Sequence, residues 1–200
     1  MILNSSKLIG SSILSLHLGA PIGKVVSEII DPNDLKIIAL KINGPQTGNG
    51  NFGDILDVRN IREYADIGMI IDSIDELVSY GDIIKIDKVI DLNFSVIGLE
   101  VKTKSGAKLG KVIDYTYDPG TMMLMQFTVK RPLIKSFIDP ELIINRSDIV
   151  EINDYEIIVN DENRKAEKAA PKKEEFVPNF VNPFREGRFA QNDTSLEEDE

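Results

Sequence analysis

Apolar and polar residues alternate with a period of two in several short runs, and the runs occur twice. In residues 13–18, Ile-Leu-Ser-Leu-His-Leu, the alternation puts Leu14, Leu16 and Leu18 on one face and Ser15 and His17 on the other, which predicts a half-buried strand. A β-branched run over 24–30 predicts a second strand, and a third sets Ile38, Leu40 and Ile42 against Ile37, Ala39 and Lys41. Shifted by 87 positions, Val101 and Thr103 fall at Leu14 and Leu16, 111–117 repeats the second run, and Met125, Phe127 and Val129 alternate with Leu124, Gln126 and Thr128. A one-residue slip would turn every core side chain outward, so this preserved register is stronger evidence for duplication than identity alone. Ile37 and Leu124 are then apolar on the outer face, which suggests a contact between the copies.

The links between the runs are duplicated too. Gly19-Ala20-Pro21-Ile22-Gly23-Lys24-Val25-Val26 returns as Gly106-Ala107-Lys108-Leu109-Gly110-Lys111-Val112-Ile113. Gly19 and Gly106 suit a turn with positive φ, whereas Gly23 and Gly110, at the start of a strand, suggest a bulge or a close backbone approach. Asp31-Pro32 and Asp118-Pro119 end the second run in each copy and predict reverse turns. The copies diverge over 44–53 and 131–140, rejoin at Asp54 and Glu141, and close with apolar strands at 68–72 and 156–160. Between them, 73–94 is acidic yet rich in Ile, Leu and Val, which predicts a packed connector with a short helix near 75–79. All 29 isoleucines lie at or before Ile158. From Glu162 the chain is charged, contains Ala and Pro, and ends Leu-Glu-Glu-Asp-Glu, a composition that predicts disorder.

Composition narrows the function. A formal charge of −10 makes nucleic acid a poor direct ligand, because phosphate backbones are held by Lys and Arg. Without cysteine there is no disulfide, thiol nucleophile or thiolate metal site, and a cytoplasmic setting fits. Lys7 and the apolar run to Leu18 imitate a signal peptide, but Ser and His interrupt the run and it aligns with an internal segment. No stretch of about 18 apolar residues offers a membrane span.

The strand, glycine turn, Gly-Lys-Val, Asp-Pro turn and closing Arg segment together resemble the PRC-barrel family, twice over. The resemblance covers roughly 8–72 and 95–160, and its most specific stretch is Ser105-Gly106-Ala107-Lys108-Leu109-Gly110-Lys111-Val112. The first copy departs from it at Pro21 and carries a Gly-rich insertion. The resemblance implies an all-β fold of two tandem small, mostly antiparallel β-barrels with a disordered C-terminal tail. Residues 1–72 form the first barrel, 73–94 the connector, 95–161 the second barrel and 162–200 the tail. Family members include the cytoplasmic part of the photosynthetic reaction-centre H subunit, the C-terminal half of a ribosome maturation factor and free-standing barrels linked to archaeal cell division. They share docking onto macromolecules and no enzymatic chemistry, so the implied activity is a class without a particular partner. A tandem pair also suggests a monomer in which the second barrel replaces a dimer partner.

Candidate chemistry is sparse. Gly48-Asn49-Gly50-Asn51-Phe52-Gly53 matches the dinucleotide-binding glycine pattern, with Asp72 19 residues on, but a strand follows it where that site needs a helix. His17 is the only histidine and reads as an exposed strand residue, since no nucleophile accompanies it. The carboxylates of the connector lack calcium-loop spacing. Arg59 and Arg146 occupy one repeat position, with Glu63 and Glu151 nearby, which favours pairing within each copy over a ligand clamp. No catalytic, cofactor or metal residue is assigned. The tail carries Phe176, Pro178, Phe180, Pro183, Phe184 and Arg185, an aromatic and proline island suited to extended docking on a protein partner, because the prolines oppose a continuous helix. The sequence therefore points to a non-catalytic adaptor that docks protein partners through its barrels and this motif. The alternative is a ribosome-associated maturation factor.

Overall fold

The computed structural model describes residues 2–48, 52–132 and 140–161. The first copy supplies β1 (Leu3–Asn4), β2 (Ser12–Ser15), β3 (Ala20–Asp31), β4 (Lys36–Asn43), β5 (Ile55–Asp57), β6 (Glu63–Ala65) and β7 (Gly68–Ile71). The connector contributes β8 (Leu77–Val78) and the helix α1 (Ile84–Leu92). The second copy adds β9 (Glu100–Thr103), β10 (Lys108–Asp118), β11 (Met123–Lys130), β12 (Glu141–Asn145), β13 (Ile149–Ile152) and β14 (Glu156–Val159).

The all-β class stands. Two closed barrels do not, because the strands form one mixed sheet with an open path, β13-β14-β9-β10-β11-β4-β3-β2-β7-β6. Closing the first copy would require β6 to reach β5. A 3-10 turn at Val58–Asn60 separates them, and the far edge of β5 is taken by β8 of the connector. The path is a palindrome in the repeat, with β4 and β11 meeting at its centre. There Lys36 faces Met123, the Ile37 N–H donates to the Met122 carbonyl at 2.9 Å, and the Leu124 N–H donates to the Leu35 carbonyl at 2.9 Å. Each of these two bonds is the repeat equivalent of the other, as in an isologous two-fold interface made within one chain. One hydrophobic cluster runs through both copies, from Ile13, Val25 and Leu40 to Val112, Phe127 and Ile157.

The turn expectations hold in geometric detail. Gly19 and Gly106 have φ of 62° and 82°. The Asp31 carboxylate accepts from the Asn33 N–H at 3.0 Å, and Asp118 accepts from the Gly120 N–H at 3.1 Å, so both Asp-Pro corners are closed by the aspartate side chain. A Cβ at Gly110 would stand 2.1 Å from the Lys130 carbonyl, and one at Gly23 2.8 Å from that of Asn43. These glycines let β3 and β10 approach their neighbours.

Three expectations are corrected. The first strand faces the other way: Ile13 and Ser15 are 0% and 2% exposed, while Leu16 and Leu18 are 52% and 45% exposed. The strand ends at Ser15 and a turn begins at Leu16, so alternation read through to Leu18 runs into residues with no strand geometry. The repeat equivalents of Ile13 and Ser15 are therefore Val101 and Thr103, and the first copy has one extra residue in this turn. Ser15 and Thr103 are both buried, and each hydroxyl accepts a turn N–H, from Leu18 at 3.3 Å and from Ala107 at 3.1 Å.

Ile37 and Leu124 also face inward, each 0% exposed in the shared core. The ladder shifts register beside them, so that Ile38 and Met125 are bulge residues, and a bulge resets which face the neighbouring side chains occupy. The α-helix lies at 84–92, whereas near 75–79 there is only a 3-10 turn over Ile74–Glu76 that leads into β8. Leu77 and Val78 are drawn into strand pairing with β5, while Ile86 packs on Ala39 and Ile55, beside Ile29, Ile38 and Ile90, over the outer face of β3, β4 and β5. The connector thus covers apolar surface of the first copy.

Candidate functional site

The residues singled out by the sequence do not converge. His17 lies in the turn after β2, with its backbone N–H on the Asp72 carbonyl at 2.9 Å. In the glycine-rich loop the Gly48 N–H donates to the Phe52 carbonyl at 3.0 Å and β5 follows, so no helix N-terminus is presented to a phosphate. Asn49, Gly50 and Asn51 lie outside the described residues, as do Phe176, Pro178, Phe180, Pro183, Phe184 and Arg185. Among the described residues no three His, Asp or Glu side chains are grouped to hold a metal ion, and no helix is long and apolar enough to cross a membrane.

The two repeat arginines have parted company. Arg59 stays within its copy but pairs with Asp57, Nε lying 3.0 Å from each carboxylate oxygen, and not with Glu63. Arg146 crosses to the first copy, where its guanidinium donates to the Asp34 and Leu35 carbonyls. The cause is one substitution between copies: Ile144 stands where Asp57 does, so Arg146 has no carboxylate at that place. For Asp57, burial opposes ionisation most strongly of any single influence. The Arg59 side chain and backbone N–H, with the Lys85 charge, together outweigh it and hold the carboxyl below its ordinary value of 3.8. A depressed folded-state pKa adds stability that is present above the unfolded value and lost as pH falls through the folded one. Asp57→Asn is therefore expected to be less stable than the parent at neutral pH. The gap in urea midpoints should narrow as pH falls below the ordinary carboxylate value of 3.8 and close once the folded-state carboxyl is protonated. A gap that stays constant across that range would contradict the pairing.

Near the centre of the palindrome, the Tyr64 hydroxyl lies 3.3 Å from the Met122 sulfur, and burial pushes its phenol up. Burial does the same to Tyr117, and burial with the Glu28 carboxylate does so for Tyr115. These phenols stay protonated and act as neutral packing groups.

Among the described residues a cavity of about 300 Å³ lies between α1 and β3, and one of about 420 Å³ beside Tyr64 and Met69. Another, of about 680 Å³, is a groove on the second copy where β9 and β10 meet the end of β11. Its floor is the buried Val112, and Ile97 and Ile113, 42% and 41% exposed, stand beside it. Lys108, Lys111, Lys130 and Arg131 line it with a single carboxylate, Glu100. Glu100 is already engaged, 3.7 Å from Lys102 Nζ and 3.6 Å from Lys108 Nζ. Pro21, Lys24, Asn43 and Gly44 occupy the equivalent positions in the first copy, so only one of the four is basic there.

Reading the sequence marked the divergence of the copies over 131–140 and thereby touched the end of this groove at Arg131 and Pro132. It missed Lys108, Lys111 and Lys130, which form no run in the chain and become neighbours only when β10 pairs with β11. Aligning the outward positions of the two copies for charge would have shown the excess. No family model matches the chain, and no curated protein matches it either.

Proposed function

We propose that this chain is a non-catalytic adaptor of PRC-barrel type, which docks protein partners on its duplicated β-structure and through the Phe-Pro motif of its tail. The observation that supports the reading is the division of labour between repeated and divergent residues. The repeated pattern builds the core and the junction, whereas in the groove on the second copy Lys108, Lys130 and Arg131 stand where the first copy has Pro21, Asn43 and Gly44. Surfaces that are free to diverge on a rigid scaffold are where binding specificity is placed.

The test is an affinity pull-down with the full chain and with a Phe176→Ala, Phe180→Ala, Phe184→Ala triple variant. Protein partners are expected with the parent, and a subset should be lost from the variant, since aromatic anchors dominate such contacts. Identical partner sets would remove the tail from the reading. Enrichment of small-subunit ribosomal proteins by both would favour the ribosome-maturation alternative.

A further inference from the structure

We propose that the groove on the second copy binds an extended segment of a partner protein in which aliphatic side chains alternate with carboxylates. This rests on the adaptor reading and names the chemistry of one of its partners. Lys111 and Lys130 are direct cross-strand neighbours in the β10–β11 ladder, and both are exposed. Like charges directly opposite each other on one face of a sheet destabilise it. Neither lysine has an ion pair among the described residues, and the one carboxylate in the groove is occupied by Lys102 and Lys108. The equivalent pair in the first copy is Lys24 opposite Asn43, so the fold does not require the second lysine.

The groove is thus a local cationic site on a chain of net charge −10, in which Lys111 and Lys130 have no carboxylate partner among the described residues. The exposed Ile97 and Ile113 over Val112 add a requirement for apolar contact. An extended peptide meets both, because alternate residues of a strand present the same face. Single-stranded nucleic acid fits less well. Among the described residues no aromatic side chain lines the groove for bases to stack on, and the acidic chain as a whole repels phosphates.

The experiment pans a random dodecapeptide display library against the full-length chain and titrates the selected peptide, fluorescein-labelled, by anisotropy. A consensus of Asp or Glu around Leu, Ile or Val is expected, with affinity falling as salt rises. Lys130→Glu should weaken it about tenfold or more, because it places a carboxylate at the site of the required cation. The same substitution should leave the melting temperature unchanged or raise it, since it converts a Lys–Lys pair into a Lys–Glu pair. Loss of binding with retained or increased stability cannot come from unfolding. Ile113→Asp should weaken binding to a similar degree. A neutral or basic consensus, no consensus, unchanged affinity in Lys130→Glu, or displacement of the peptide by oligouridylate would each overturn the proposal. Cellular partners that survive Lys130→Glu would overturn the groove and leave the adaptor reading standing. A consensus lost in the variant upholds the groove even where a pull-down recovers nothing.

Discussion

Ile37→Lys is expected to abolish cooperative folding of both copies together. Ile37 is fully buried in the cluster that runs through the two copies, and its N–H holds the Met122 carbonyl of the other copy. A lysine there would carry an ammonium into a core with no partner for it, at a cost of about 3–5 kcal/mol. That is a large share of the stability of an ordinary domain, which is about 5–15 kcal/mol in total. The measurement is urea denaturation followed by circular dichroism, with Ile37→Val as the volume control at a loss of about 0.5–1.5 kcal/mol. Leu124→Lys should match Ile37→Lys, because the two side chains are repeat equivalents at the junction. A cooperative transition near the parental midpoint in either lysine variant would show that these residues are not in the core.

The second large effect is at Gly110. Its φ is 152°, and an added Cβ would sit 2.1 Å from the Lys130 carbonyl oxygen and 2.9 Å from Val129 Cγ1. The nearest atom belongs to backbone, so relief requires β10 to part from β11 at the place where their pairing begins. Gly110→Ala is expected to cost about 2–4 kcal/mol, in the range reserved for strained backbone and core overpacking. Gly106→Ala is the comparison. Its φ is also positive, at 82°, but nothing lies within 4 Å of the added Cβ. Only the conformational cost of a left-handed residue remains, about 1–2 kcal/mol. Urea midpoints of the two variants should therefore differ clearly. Equal losses would mean that the close approach of the strands contributes nothing.

Much of this architecture was legible in the chain. Asp31 and Asp118 close their turns as Asp before Pro implies, and Gly19 and Gly106 take positive φ as turn glycines do. These features rest on interactions within a few residues, and local chemistry suffices for them. Leu16 and Leu18 show how such reading fails. Their alternation with Ser15 and His17 looks like strand, but hydropathy alone carries no mark of where strand gives way to turn, and an error of one residue inverts a face. Ile37 fails for a related reason, since a bulge at Ile38 has no hydrophobic signature. The candidate groove was the least legible feature, because Lys108, Lys111 and Lys130 are separated in the chain and acquire a common surface only by pairing.

The sequence by itself determined the duplication, the all-β class and the glycine and Asp-Pro turns, because periodicity and turn chemistry act over short distances and survive duplication in register. Only the tertiary structure decided that the halves share one open sheet and one core, that Arg146 reaches across to the first copy while Arg59 stays at home, and that scattered lysines gather beside exposed isoleucines. Those outcomes depend on which strand edges and which partners remain available once the chain has folded back on itself. Strand β8 taking the far edge of β5 is a fact of pairing that no local pattern encodes.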